Sequence, residues 1–135
     1  MDSVIVTDSG FGAEDWTGRF LAPDDPTDGR AVDLASSADV AVLAGRLGGI
    51  AMIRVDFPGF SDGRGFGIAV RLRQMGFAGR LRARGHLIAD QYAMARRSGF
   101  DEVEISADLA ARQPEVQWLA RADWRSHSYL ARLRG

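Results

Sequence analysis

Charged and apolar residues alternate in three short segments of this chain, and this alternation restricts its fold more than any other feature. The segments read IAMIRVDF at residues 50–57, GRLRAR at residues 79–84 and DEVEIS at residues 101–106. Because successive side chains of a strand point to opposite faces, each segment is predicted to be a strand with one apolar and one charged face. Strands that helices cover on both sides are usually apolar on both faces. The charged faces therefore restrict how this sheet is covered.

Segments with helical spacing separate these strands. Apolar residues recur at the spacing of one helix face in residues 63–75 and 86–98, and Pro114 is suited to begin a last helix. Gly76 and Gly99 are placed to end the first two helices. The alternation of strand and helix is typical of an α/β fold. We therefore predict repeated βα units with right-handed crossovers and a mostly parallel sheet of four to five strands.

The N-terminal segment, residues 1–35, is less regular than the rest of the chain. VIVT at residues 4–7 and AVDL at residues 31–34 are candidates for short strands, and a helix is predicted over residues 36–47. A chain of 135 residues can bury a sizeable core within one domain. Residues 1–135 are therefore predicted to form a single α/β domain.

Two arrangements of the sheet explain its charged faces. In the first, which we favour, all helices pack on the apolar face and give a singly wound sheet that resembles part of a barrel. Its charged face then looks into solvent, a cleft or a partner subunit. In the second, the sheet is doubly wound and the charges pair with one another under a cover, because burying unpaired charges is prohibitively costly. If the strands are neighbours in chain order, the arginine row lies between rows that carry aspartate and glutamate.

Composition excludes several kinds of chemistry. The chain contains no cysteine, and its 17 basic residues are all arginine. Thiol catalysis, disulfides, cysteine-ligated metals and lysine Schiff bases are therefore ruled out. The net charge of -1 gives no reason to expect nucleic acid or an anionic membrane as a partner. Since the sequence has neither a signal peptide nor a spanning segment, we expect a cytoplasmic protein.

The turn SDGRGFG at residues 61–67 is the first candidate site. It follows a predicted strand, and ligands of parallel α/β folds bind beyond the carboxyl ends of the strands. Gly63 and Gly65 permit close backbone approach, and Arg64 beside the free N–H groups of a helix start suits an anion. Asp62 is placed to cap this helix. The glycine spacing matches neither a P-loop nor a dinucleotide-binding fingerprint.

The loop after the second predicted strand should lie at the same edge of the sheet. It contains His86 and leads to Asp90, which falls in the first helical turn, where the helix dipole favours a carboxylate. Asp90 and Arg97 lie two turns apart on one helix face. His86 and His127 lack the spacing of metal ligands, so no metal site is predicted.

A specific combination of residues between Phe57 and Ile105 suggests a family. It consists of the turn from Ser61 to Phe66, Phe60 before it, and Leu72, Arg73, Gly76, Phe77, Leu81, Arg82, Ala83, Gly85, Asp90, Gln91, Arg97, Gly99, Phe100 and Asp101 after it. This combination resembles a bacterial family known only as domain of unknown function 934. Its members are typically encoded beside assimilatory sulfite reductase and are often labelled as oxidoreductases involved in sulfite reduction. The resemblance therefore implies a role in sulfur metabolism.

The resemblance also selects candidate site residues. Two positions depart from the family pattern: Arg84, where a small apolar residue is usual, and His86, where an acid is common. The candidates that remain are Asp62 and Asp90 for acid–base catalysis, and Gly63, Arg64, Gly65, Arg82, Gln91 and Arg97 for ligand binding. The sequence has no recognisable cofactor motif, so the cofactor stays unknown.

Three functions are compatible with the sequence. The first is an accessory factor in assimilatory sulfite reduction that binds sulfite reductase or its electron donor. The second is a small anion-binding enzyme or binding protein, in which Arg64 and Arg82 hold an anion at a helix N-terminus. The third is a structural module whose charged sheet face forms a homodimer. Because sulfite reductases need haem or iron–sulfur ligands and this chain has no cysteine, it is not the reductase itself.

Overall fold

A six-stranded mixed sheet forms the centre of the computed structural model, which describes residues 3–24 and 30–125. The strands are β1 (Val4–Thr7), β2 (Gly10–Gly12), β3 (Ala31–Leu34), β4 (Met52–Phe57), β5 (Arg80–Gly85) and β6 (Glu102–Ile105). Across the sheet they follow the order β2-β1-β6-β5-β4-β3. The strands from β3 to β6 are parallel neighbours in chain order, whereas β1 pairs antiparallel with both β2 and β6.

Helices connect and flank the parallel strands. They are α1 (Arg64–Gln74), α2 (Tyr92–Ser98), α3 (Ala107–Arg112) and α4 (Glu115–Leu119). α1 joins β4 to β5 and α2 joins β5 to β6, so each belongs to a crossover of the kind that parallel neighbours require. The predicted α/β class and mostly parallel sheet are therefore confirmed. No helix in the described part of the chain has the length and apolarity needed to cross a membrane.

The spacing of apolar residues in α1 determines which side of the helix is buried. Ile68, Ala69 and Leu72 are buried on one side, as the period of the helix requires. The chain leaves the helix through Gly76, whose φ of 99° glycine adopts without a steric penalty. α2 ends in the same way at Gly99, whose φ is 118°.

The helices share one apolar core with the sheet. Phe57, Leu72, Leu81, Phe100 and Trp118 are among its members, and each is at most 1% exposed. The rings of Phe57 and Phe100 meet edge to face, with their centroids 5.8 Å apart. Because the apolar residues of β4, β5 and β6 point into this core, the charged residues between them point away from it.

The structure corrects the finer prediction for the sheet. The sheet is mixed and has six strands, and it is not the predicted four- to five-stranded singly wound sheet. The difference arises in the N-terminal segment, where β1 and β2 form an antiparallel hairpin that extends the sheet beyond β6. β2 reads only GFG, which is too short for alternation to be visible in the sequence.

The predicted helix over residues 36–47 is wrong. Two short 3-10 turns, Val40–Leu43 and Leu47–Gly49, take its place. Asp39 begins the first turn, because its side chain accepts a hydrogen bond from the backbone N–H of Ala41 at 3.0 Å. The predicted span also contains Gly45, whose φ of 80° lies in the left-handed region, so a right-handed helix cannot continue through it.

Candidate functional site

The charged face of the sheet carries rows of opposite charge. β5, which contributes the arginines, lies between β4 and β6, so the predicted order of the rows is confirmed. Arg54 is the direct neighbour of Asp33 on one side and of Arg82 on the other. Its guanidinium lies 2.6 Å from the Asp33 carboxylate and 3.1 Å from that of Glu104. Carboxylates of the sheet thus neutralise arginines of the same sheet.

Arg82 lies at the centre of this face, and its side chain is 0% exposed. Its Nε donates to Glu102 at 2.5 Å and its Nη1 donates to Glu104 at 2.8 Å. Glu14 accepts hydrogen bonds from both terminal nitrogens. Because these donors bind the protein's own carboxylates, the predicted ligand-binding role of Arg82 would require a ligand that displaces Glu14.

Residues 13–20 cover the charged face, and we call them the N-terminal strap. Asp15 of the strap forms an ion pair with Arg80. The Arg54 guanidinium carbon lies 3.7 Å from the centre of the Phe20 ring, which is a favourable cation–π contact. This part of the charged face therefore contacts the protein's own chain, which reduces the area that it offers to a homodimer.

The carboxylate of Glu104 interacts with two arginines of the charged face. Burial raises the pKa of Glu104, but hydrogen bonds and charges from Arg82 and Arg54 outweigh burial and lower the pKa below its ordinary value of 4.5. The Ser3 hydroxyl also donates to this carboxylate at 3.0 Å. Glu104 is therefore ionised at neutral pH.

Side chains of the turn before α1 hold one another in place. The Asp62 carboxylate accepts hydrogen bonds from the Arg64 guanidinium at 3.0 and 2.8 Å and from the Arg64 backbone N–H at 3.2 Å. Arg64 also donates to the Ser36 hydroxyl at 3.0 Å. The hydrogen bonds from Arg64 are the main cause of an Asp62 pKa far below the ordinary value. The geometry is that of an ion pair beside a helix start, and the catalytic role of Asp62 stays a prediction.

The glycines of the same turn allow close packing. Gly63 is the residue that precedes the first turn of α1. A Cβ atom at Gly65 would lie only 2.5 Å from the ring of Phe57. Gly65 therefore lets the first turn of α1 lie directly on the aromatic side chain at the end of β4, and both glycines keep their ligand-binding role only as a prediction.

Arg64 itself remains accessible, with 62% of its side chain exposed. It lines a groove of about 500 Å³, which we call the Arg64 groove and which comprises Ser36, Ser37, Ala38, Asp39, Val40, Arg64, Gly67, Ile68 and Arg71. Arg71 adds a second positive charge on the same helix, seven residues after Arg64. The groove is therefore a candidate anion site, and the ligand-binding role of Arg64 stays a prediction.

Gln91 connects two loops at the carboxyl edge of the sheet. Its side-chain oxygen accepts a hydrogen bond from the Ile88 N–H at 2.9 Å, and its side-chain nitrogen donates to the Phe60 carbonyl at 3.0 Å. These two bonds join the loop after β4 to the loop after β5. Gln91 therefore has a structural role, because it holds the two loops together. Its ligand-binding role stays a prediction.

Asp90 and Arg97 face the C-terminal part of the chain. Asp90 forms an exposed ion pair with Arg121 at 2.7 Å. Arg97 donates to the Trp124 carbonyl at 3.2 Å. Neither residue lines the Arg64 groove. The structure therefore distributes the predicted site residues over several places and does not bring them together in one site.

A cleft of about 370 Å³ lies at the carboxyl ends of β4, β5 and β6. We call it the carboxyl-edge cleft, and it is lined by Ser3, Asp56, Pro58, Phe60, Arg84, Gly85, His86, Glu104, Ile105, Ser106, Leu109 and Arg112. This edge is where parallel α/β folds bind their ligands. None of its lining residues belongs to the predicted site or to the Arg64 groove.

Side chains of both charges line the carboxyl-edge cleft. Arg84 approaches Asp56 and Glu104 only to 3.6 and 3.5 Å, which is longer than an ordinary charged hydrogen bond. Arg112 forms no hydrogen bond or ion pair with any residue of the described ranges, 3–24 and 30–125. The His86 ring packs edge to face against Phe60, with the ring centroids 5.2 Å apart. The cations of this cleft are therefore open to an anionic ligand.

This cleft was not predicted from the sequence because its walls come from separate segments of the chain. In the sequence, Asp56 and Glu104 stand out only as parts of the charged face, and Arg84 stands out only there and as a departure from the family pattern. The helix that carries Arg112 was not predicted. A signal was nevertheless present. Asp56 is the register partner of Arg84, and Arg84 that of Glu104, so residues near the ends of three parallel strands had to meet at one edge.

Within the described residues, no group of three or more His, Cys, Asp and Glu side chains could hold a metal ion. His127, one of the two histidines considered in the sequence, lies outside these residues.

Comparison with known proteins assigns the family. A family model described as Bacterial protein of unknown function (DUF934) matches residues 31–133. The chain belongs to this family. In this DUF934 protein the match includes β3 to β6, the whole Arg64 groove and every lining residue of the carboxyl-edge cleft except Ser3. The strap lies outside the match. No curated protein and no solved structure matches the chain.

Proposed function

We propose that this DUF934 protein is a cytoplasmic binding protein for a small anionic ligand and an accessory factor in assimilatory sulfite reduction. The observation that carries the binding proposal is Arg112. It lines the carboxyl-edge cleft and has no partner among residues 3–24 and 30–125. The planar donors of a guanidinium match the oxygens of a carboxylate, sulfite or sulfate group. Arg84, only loosely paired, adds a second cation to the same cleft.

The accessory role is supported by the state of the candidate acids and by the family. Asp62 and Asp90 each form an ion pair with an arginine, Arg64 and Arg121 respectively, which favours a structural role over acid–base catalysis for these carboxylates. The resemblance of the sequence to DUF934 implies an association with assimilatory sulfite reductase. We therefore propose that the protein binds sulfite reductase or its electron donor while holding a small anion.

Isothermal titration calorimetry with sulfite, sulfate and acetate tests the binding proposal. We expect Arg112→Ala to weaken binding of the preferred anion by about tenfold or more, because a charge-assisted hydrogen bond is lost. Arg19→Ala removes an exposed arginine that lines neither the carboxyl-edge cleft nor the Arg64 groove, so it should leave binding unchanged. If none of the three anions binds the wild-type protein at millimolar concentration, the binding proposal is wrong.

The Arg64 groove is the second candidate for the same ligand. The observation in its favour is the exposed Arg64 guanidinium, which Asp62 and Ser36 hold in a fixed orientation. Arg64→Ala therefore belongs in the same titration series. Loss of binding in Arg64→Ala with full binding in Arg112→Ala would move the anion site from the cleft to the groove.

Growth of a deletion strain tests the metabolic part of the proposal. We expect the strain to grow normally on cysteine and poorly on sulfate as sulfur source, and plasmid-borne wild-type protein to restore growth. Arg112→Ala should restore it less well than Arg19→Ala if anion binding serves this role. Equal growth of the deletion and parent strains on sulfate would exclude a required role in sulfite reduction.

A further inference from the structure

We infer that the ligand of the carboxyl-edge cleft carries a positive charge as well as a negative one, and that it is a small free α-amino acid. This inference rests on the proposed function, since the same arginines hold the anionic group. It adds a second recognition element, an accessible carboxylate in the wall of the same cleft. The two elements together distinguish a zwitterion from a simple anion.

The anionic group of the ligand has donors on one side of the cleft. Arg112 is unpaired among the described residues, and Ser106 lines the same cleft. The Ser106 oxygen accepts the Leu109 N–H at 3.1 Å, which leaves the hydroxyl hydrogen free to donate. An arginine and a hydroxyl donor of this kind suit the two oxygens of a carboxylate.

Asp56 supplies the complementary charge. It lies at the end of β4, 43% of its side chain is exposed, and its nearest cation, Arg84, is 3.6 Å away. The carboxylate of Glu104 also lines the cleft, although Arg82 and Ser3 already donate to it. A ligand with negative charge alone would approach these carboxylates at an electrostatic cost. An ammonium group on the ligand converts that repulsion with Asp56 into attraction.

The size and the remaining wall of the cleft fit the same class of ligand. A volume of about 370 Å³ is at the small end of ligand pockets, so it suits a molecule of amino-acid size. Pro58, Phe60 and Leu109 line the cleft and offer apolar surface to a ligand side chain. The charged groups would hold the amino and carboxylate groups, while this apolar surface contacts the side chain.

Calorimetry with matched probes tests the inference. The standard L-amino acids are titrated, and the best-bound one is compared with its deaminated counterpart, a plain carboxylate, and with its decarboxylated counterpart, a plain amine. We expect the amino acid to bind about tenfold more tightly than either counterpart, because each lacks one of the two charge contacts.

Asp56→Asn provides a test in which the affinity for the amino acid and the affinity for its deaminated counterpart should change differently. The substitution keeps the shape of the side chain, so we expect it to weaken binding of the amino acid and to leave or strengthen binding of the deaminated counterpart. Asp108→Asn, which removes an exposed carboxylate of α3 that does not line the cleft, is the control and should change neither affinity. Urea unfolding of each variant verifies that the fold is retained.

The outcomes separate the inference from the proposed function. If a plain anion binds with the expected dependence on Arg112 but no amino acid binds more tightly than its deaminated counterpart, the inference is wrong and the proposed function stands. If Asp56→Asn weakened binding of the amino acid and of its deaminated counterpart equally, the inference would also be wrong. If neither anions nor amino acids bind, both proposals fall.

Discussion

Two glycines of α1, only two residues apart, differ in whether their surroundings leave space for a side chain. A Cβ at Gly65 would lie 2.5 Å from the buried Phe57 ring, whereas a Cβ at Gly67 would meet nothing within 4 Å. We expect Gly65→Ala to destabilise the protein by about 1–3 kcal/mol, because Phe57 packs against Phe66 and Phe100 and cannot move freely. Urea unfolding of the purified variant measures this change.

Gly67→Ala is the matched control within the same helix. Alanine has the higher helix propensity and no clash at this position, so the variant should gain up to about 1 kcal/mol of stability. If both substitutions changed stability in the same direction, close packing on Phe57 would not be the reason for glycine at residue 65.

At the scale of an element, the N-terminal strap depends on ion pairs of unequal burial. Glu14 pairs with the fully buried Arg82, whereas Asp15 is 69% exposed and pairs with the partly exposed Arg80. We expect Glu14→Gln to cost about 1–3 kcal/mol, because it weakens charged hydrogen bonds to a buried guanidinium. Asp15→Asn should cost less than about 1 kcal/mol, as exposed ion pairs contribute little.

Trypsin digestion provides a second measurement of the same prediction. The strap contains the exposed Arg19, and we expect cleavage after this residue to become faster in Glu14→Gln than in Asp15→Asn. Equal cleavage rates in both variants, at wild-type level, would show that the Glu14 ion pair does not hold the strap on the sheet.

The elements that the sequence predicted best are those with long, clear periods. β4 was predicted at residues 50–57 and lies at Met52–Phe57, and the helix predicted at residues 63–75 is α1, Arg64–Gln74. β2 and α3 were missed, because three and six residues respectively are too few to show a period. Local sequence therefore determined the parallel core, whereas the N-terminal hairpin depends on pairing with a distant strand.

The candidate site was less predictable than the fold. Arg64 and Asp62 were recognised because they share one turn, and the structure pairs them. The carboxyl-edge cleft combines Asp56, Arg84 and Arg112. These residues are distant in the sequence, and they meet only because of the order of the strands in the sheet and the position of α3 after β6. Alternation in a sequence shows the face on which a residue lies, but it does not show which of several charged residues remain unpaired after folding.

At the scale of the whole molecule, stability should fall in acid. The folded state lowers the pKa of Glu104 below 4.5, mainly because hydrogen bonds from Arg82 and the charge of Arg54 outweigh the opposite effect of burial. This contribution is fully present above the unfolded pKa, near 4.5, and is lost as the pH falls through the folded value. The free energy of unfolding, measured in urea between pH 7 and pH 3, should therefore decrease most below about pH 4.5.

Glu104→Gln is the control for the acid dependence. The variant should be less stable at neutral pH, because it leaves Arg82 and Arg54 with one carboxylate fewer, and its stability should change less between pH 4.5 and pH 3. An acid dependence identical to that of the wild type would show that other carboxylates, such as Asp8, are responsible.

The pairing of β1 with β6 determines when the sheet can be completed during synthesis. Val4 is the register partner of Ile105, and Ser3 donates a hydrogen bond to Glu104, 101 residues further along the chain. β1 thus leaves the ribosome well before β6, the strand with which it pairs. The βα units between them can form while translation continues. Before β6 emerges, β1 can pair only with β2, so the nascent chain lacks the neighbour that helps to bury two apolar side chains of β1, Ile5 and Val6.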